Sequence, residues 1–152
     1  MAWEVEYTEE FEWWGTLTVE EQTDVDAYVS QLIKRGPALP FPYTSDIRSS
    51  RHGPMRELRV QSGGKPLRIF YAFDPRRTAI LLLGGDKTGD PRFYEQMVPL
   101  ADRLYDEHLA EIQNEIKEEH DGHGRKAPIF RTARPDVSAG AKAGRRKGPK
   151  TR

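Results

Sequence analysis

The chain of 152 residues contains no cysteine. That excludes disulfide cross-links and thiolate metal or redox chemistry, and it agrees with a cytoplasmic setting. No apolar run approaches the roughly 18 residues that a membrane span needs, so no membrane association is expected. The first residues are acidic and aromatic, unlike a secretory leader. Net charge is also missing, but only by cancellation. Residues 1–120 hold 14 Lys+Arg against 22 Asp+Glu, a net of −8, whereas 121–152 hold 10 against 2, a net of +8. With a mean hydropathy of −0.78 and 32% charged residues, the composition predicts one modest, polar domain over 1–118. Gly, Pro, Ala, Lys and Arg dominate the remainder, so 119–152 reads as a basic, disordered tail that could neutralise nucleic-acid phosphates, solubilise the chain or contact a partner.

What is present is concentrated between Met55 and Lys87. MRELRV, LRIFYAF and AILLLGGDK read as consecutive strands, and with their connections the segment carries seven basic side chains. If Ser62-Gly63-Gly64-Lys65 is a four-residue hairpin loop, Gln61 faces Pro66, Val60 faces Leu67, Arg59 faces Arg68 and Leu58 faces Ile69. Alternation then places Arg56, Leu58, Val60, Leu67, Ile69, Tyr71 and Phe73 on a mostly apolar face. Met55, Glu57, Arg59, Arg68, Phe70 and Ala72 share the other. Two directly opposed arginines cost up to about 1 kcal/mol unless an anion relieves them; Glu57 or a phosphate would serve. The apolar run Ala79 to Leu83 predicts a central strand, entered through an Asp74-Pro75-Arg76-Arg77 turn of two or three residues. Its end, Gly84-Gly85-Asp86-Lys87, should emerge near Lys65 and Arg68, so that Arg59, Arg68 and Lys87 converge.

The flanks predict an α+β unit. Trp3 to Tyr7 alternates as a strand. Thr18 and Glu21 form a capping-box pattern opening a helix with a Val25, Val29, Leu32, Ile33 stripe, which Gly36-Pro37 stops. A proline-rich connection spans Ala38 to Pro54. Asp90-Pro91 should start a short helix that Pro99 breaks near Val98, followed by a second helix with the stripe Leu104, Tyr105, Leu109, Ile112 and Ile116. His108 reads as packing, and His120 and His123 lack a third ligand at metal spacing. Gly84-Gly85-Asp86-Lys87-Thr88 is not a nucleotide-binding loop, because Asp86 stands where glycine must precede the lysine. Each basic residue also has a plainer reading: Arg59 and Arg68 as salt-bridge partners of Glu57, Lys87 as a turn residue, His52 as a solvated loop histidine and Tyr94 as a packing residue.

In combination, His52-Gly53-Pro54-Met55-Arg56-Glu57-Leu58-Arg59, Arg68-Ile69-Phe70-Tyr71-Ala72-Phe73 and Gly84-Gly85-Asp86-Lys87 resemble the HigB branch of the RelE/ParE toxin superfamily over roughly residues 1–115. The resemblance implies a RelE-like antiparallel-rich sheet packed by an N-terminal helix and C-terminal helices. It also implies the toxin of a type II toxin–antitoxin module, acting as a ribosome-dependent messenger-RNA endoribonuclease without metal or other cofactor. The implied partners are a HigA-like helix-turn-helix antitoxin, the ribosome and messenger RNA. Carried onto this chain, the catalytic candidates are Arg68, Lys87, Arg59, His52 and Tyr94, and the RNA-binding candidates are Arg56, Lys65, Arg76, Arg77 and Arg92. Arginines suit forked contacts to phosphate oxygens, and a histidine with its ordinary pKa suits proton transfer. A ParE-like gyrase poison, or a catalytically inactive RNA- or ribosome-binding module, are the alternatives.

Overall fold

The computed structural model describes residues 2–120 and 131–132. Six strands form one sheet in the order β2-β3-β4-β5-β1-β6, with β1 Val5–Tyr7, β2 Thr44–Asp46, β3 Arg56–Ser62, β4 Lys65–Phe73, β5 Ala79–Asp86 and β6 Arg131–Thr132. The β2 to β5 pairings are antiparallel, and β1 joins β5 in parallel. Helix α1, Val19–Arg35, and helix α2, Phe93–His120, pack on opposite faces. The architecture is α+β. Among the described residues no helix is long and apolar enough to cross a membrane. The expected tail, 119–152, lies outside the described residues apart from the end of α2 and the strand pair of Arg131 and Thr132 with Tyr7 and Glu6.

The β3–β4 register follows from its turn. Arg59 opposes Arg68, Val60 opposes Leu67 and Gln61 opposes Pro66 as expected, but Ser62 also pairs with Lys65, so the loop is the two residues Gly63 and Gly64 and not four. Gly63 and Gly64 both adopt positive φ, 56° and 83°, which a two-residue hairpin with this twist requires. Alternation then builds two cores. Leu58, Val60, Leu67, Ile69 and Tyr71 meet Val25, Val29 and Leu32 of α1 on one face. Met55, Phe70, Ala72, Ile80 and Leu82 meet Phe93, Val98, Ala101 and Leu104 of α2 on the other. A bulge near Phe70 and Tyr71 shifts the β4–β5 register, and Leu82 and Leu83 both join the α2 core. The turn into β5 has three residues, Pro75 to Arg77, with Arg77 at φ 67° and Asp74 bonding across to Thr78.

The capping box forms as read: Thr18 N–H donates to Glu21 Oε1 at 3.0 Å and Glu21 N–H to Thr18 Oγ1 at 3.1 Å. Four further expectations are corrected. Helix α2 runs without a break through Pro99. A proline removes the bond to the carbonyl four residues back, but Glu95 and Pro99 face solvent, where water can satisfy that carbonyl, and buried Val98 and Ala101 anchor the helix on the sheet. Ile116, expected in the stripe, is 55% exposed and packs in neither core. The proline-rich connection contains the edge strand β2. Finally, Gly84 and Gly85 lie inside β5 and not beyond it. A Cβ on Gly84 would stand 2.4 Å from the Trp13 indole, and one on Gly85 3.0 Å from the Phe93 ring, so both faces of the strand end are covered by aromatic side chains.

Candidate functional site

Glu57, on the α2 face of β3, is 3% exposed and organises the cationic end of the sheet. A buried carboxylate is costly unless it is paired and hydrogen-bonded. Here Tyr94 Oη donates to its Oε1 at 2.8 Å and Ser45 Oγ to its Oε2 at 2.8 Å, while Arg59 Nη1 stands 3.5 Å from Oε2. Arg68, buried at 3% exposure, aims Nε at Oε1 from 3.7 Å and places Nη1 on Gln61 Oε1 and the Leu67 carbonyl. That Nε has no hydrogen-bond partner among the described residues. Glu57 thus relieves the Arg59–Arg68 opposition in the free chain.

The remaining members arrive from β5 and α2. Gly85 pairs with Arg68, and Lys87 N–H donates to the Pro66 carbonyl at 3.0 Å, which carries Lys87 to this end. Its Nζ lies 5.3 Å from the Tyr94 ring centroid, a cation–π distance. Asp90 supports Tyr94 by accepting from Arg92 N–H at 3.0 Å at the helix entry. Burial first, and then the neighbouring Glu57, raise the Tyr94 phenol, with Arg68 opposing. Tyr94 is therefore held protonated at neutral pH, as a donor.

Of the candidates, Arg59, Arg68 and Tyr94 come together on Glu57, and Lys87 joins them over the Tyr94 ring. His52 does not join them. Its Nε2 lies 2.7 Å from Asp106 Oδ1 and its ring packs edge-on against Tyr105. Asp106 is twelve residues along α2 from Tyr94, about 18 Å at 1.5 Å per residue. The other basic candidates have intramolecular partners. Arg56 pairs with Asp46 and reaches Thr44 Oγ1 at 3.3 Å, and Lys65 Nζ donates to Glu21 at 2.9 Å. Arg92 pairs with Glu95 at 3.3 Å, and the Arg77 guanidinium lies 5.3 Å over the Trp3 ring.

Arg76 is committed at the opposite end of the sheet. It donates to Glu6 and Asp74, each at 2.7 Å, and Asp74 also takes His108 Nε2 at 2.8 Å. Burial lifts the Asp74 carboxyl, but the bonds from His108 and Arg76 outweigh it and hold the group down at about 2. His108, read as packing, is buried at 2% exposure, yet it serves this ion network. Ser45 and Gln61 were missed at the Glu57 end. The alternation that placed Glu57 and Arg59 on one face also places Gln61 there, whereas nothing in the sequence marks Ser45, which reaches Glu57 only because β2 pairs with β3.

A family model, the phage derived protein Gp49-like family (DUF891), matches residues 12–106, which contain every member of the Glu57 cluster. Two proteins of Mycobacterium tuberculosis (strain ATCC 25618 / H37Rv) are similar. "Putative toxin HigB2" is 39% identical over 104 residues, 67% of this chain and 52% of that protein. "Putative toxin HigB3" is 38% identical over 99 residues, 64% of this chain and 85% of that protein. The match thus spans about half the length of the first and most of the second. No solved structure matches the chain. The sequence pattern, the two-faced sheet and the family match agree: this chain is a HigB-like member of the phage-derived Gp49-like family (DUF891).

Proposed function

We propose that this chain is the toxin of a toxin–antitoxin pair and cleaves messenger RNA on the ribosome until a helix-turn-helix antitoxin silences it. The observation that carries this reading is the gathering of Arg59, Arg68 and Tyr94 around one buried carboxylate, with Lys87 over the Tyr94 ring. Scission by a 2′-hydroxyl needs the phosphate held in line, the 2′-hydroxyl proton passed to water as its oxygen bonds to phosphorus, the new negative charge stabilised and a proton delivered to the leaving 5′-oxygen as its bond to phosphorus breaks. Arg68 and Lys87 supply fixed positive charge, worth most where water is excluded. Tyr94, kept protonated by its surroundings, supplies a hydroxyl proton. Glu57 balances the arginines in the free chain, and an incoming phosphate competes with it for Arg59 and Arg68. The names of the two mycobacterial relatives favour the toxin reading.

The test is mapping of new messenger 5′ ends in a translating extract, with and without ribosomes. The chains compared are the wild type, Lys87→Ala, and the Arg68→Ala/Lys87→Ala double variant. Ribosome-dependent ends from the wild type, weakened in Lys87→Ala and lost in the double variant, are expected. Because Arg68 is buried, a thermal melt of each chain separates lost chemistry from lost fold. Absence of new ends with folded wild type would overturn the nuclease reading.

A further inference from the structure

Phe41 is the most exposed of the large hydrophobic side chains, at 68%, and belongs to neither apolar cluster. It is nevertheless positioned. The Arg59 guanidinium carbon lies 5.2 Å from the centre of its ring, and Arg59 is itself drawn towards Glu57 through the 3.5 Å contact. The backbone fastens the segment twice: Arg59 N–H donates to the Tyr43 carbonyl at 2.8 Å and Tyr43 N–H to the Pro40 carbonyl at 3.0 Å. One face of the ring is thus covered by a cation, and the exposure leaves the other to solvent. The platform adjoins the cationic cluster through Arg59.

We propose that Phe41, backed by Arg59, is a stacking platform for an unpaired nucleobase beside the phosphate bound at the Glu57 cluster. The inference rests on the RNA reading above and adds a binding residue to it. An aromatic ring and a guanidinium plane are the two side-chain surfaces on which splayed single-stranded bases stack. Pro40, Pro42 and Tyr43 beside Phe41 are exposed as well, which makes a protein contact the rival occupant; the guanidinium held against the ring favours a base. Arg59 then links the two subsites, stacking at one end and pairing with charge at the other.

The test compares wild type, Phe41→Ala and Phe41→Tyr for cleavage of a defined messenger on programmed ribosomes, with an abasic scan of the messenger near the cut. Because Phe41 is exposed, all three chains should melt alike. Phe41→Ala is expected to raise KM about tenfold with kcat within about twofold, and Phe41→Tyr to restore KM, as base stacking on an aromatic ring would require. One abasic position should cost the wild type the same factor and cost Phe41→Ala nothing. Wild-type KM in Phe41→Ala would overturn the platform while leaving the nuclease reading intact. Normal cleavage by Phe41→Ala with weakened antitoxin inhibition would overturn it too, by assigning the ring to a protein contact. No cleavage by wild type overturns the nuclease reading, and the platform with it.

Discussion

Replacing Asp74 by asparagine removes one charge from the end of the sheet remote from the candidate site while nearly preserving shape. The carboxylate is fully buried and accepts from Arg76 N–H at 2.8 Å, Thr78 N–H at 3.2 Å, Arg76 Nη2 at 2.7 Å and His108 Nε2 at 2.8 Å. Its folded pKa of about 2 lies below the ordinary 3.8. A depressed carboxyl contributes stability that is present above the unfolded pKa and is lost as pH falls through the folded one. The gap between 3.8 and about 2, at roughly 1.4 kcal/mol per pH unit, amounts to about 2 kcal/mol. Asp74→Asn should therefore lose about 2 kcal/mol in urea unfolding at pH 7, with an unchanged denaturant slope. By pH 3 the difference from wild type should narrow to roughly 1 kcal/mol, because the wild-type carboxylate has begun to protonate in the unfolded chain. Glu6, whose carboxyl is raised by burial and further by the Asp74 charge, shifts when that charge is removed, so both chains are compared in a Glu6→Gln background to isolate Asp74. A difference of the same size at both pH values would refute the argument that His108 and Arg76 hold Asp74 anionic.

Tyr94→Phe deletes the hydroxyl that donates to buried Glu57; cleavage should fall about 100-fold in single-turnover assays, and the melting temperature should drop by several degrees for the roughly 1–3 kcal/mol of the lost bond, so the assay is run well below the variant's melt. Burial and Glu57 both raise the Tyr94 phenol, so the wild-type pH–rate profile should show no limb from Tyr94 ionisation near neutral pH. His52→Asn should leave cleavage within about threefold of wild type, well short of the loss expected for a proton-transfer residue, because His52 is bound to Asp106 away from the cluster. A larger loss in a folded His52→Asn chain would return His52 to the catalytic set. Gly84→Ala would place a Cβ 2.4 Å from the Trp13 indole and should cost about 1–3 kcal/mol in chemical denaturation, as overpacking does.

The central hairpin was readable because two glycines can take the positive φ its turn needs, and period-two alternation then sorts every side chain to a face. That reading carried the Arg59–Arg68 pair and the arrival of Lys87. The failures have a common physical origin in contacts between segments distant in sequence. Pro99 looked like a helix stop because local rules price its missing hydrogen bond; the buried neighbours that hold α2 on the sheet are not local. Glu9–Thr16 forms a 3-10 helix that no local pattern marks: Phe11 enters the α1 core and Trp13 covers Gly84, while Glu9, Glu10 and Glu12 stay exposed. Arg76 and Lys87 are both basic residues next to turns, and strand order places them at opposite ends of β5 without showing which partners each meets. What separates them is that Asp74 and Glu6 surround Arg76, whereas Lys87 lies against the face of an aromatic ring.

That contrast extends to the two ends of the sheet as wholes. Each end has a buried carboxylate organising arginine, Asp74 on one side and Glu57 on the other. At Asp74 the arginine donates in close contacts, a histidine completes the set and the carboxyl is driven well below its ordinary range, which is the pattern of a structural ion network. At Glu57 the two arginines stand off at 3.5 and 3.7 Å, and Arg68 Nε is left unbonded among the described residues. Leaving such a buried donor unbonded costs free energy that folding alone has no reason to retain. An anion bridging Arg59 and Arg68 would recover it, and the partly exposed Lys87 and Tyr94 leave a side from which that anion can enter.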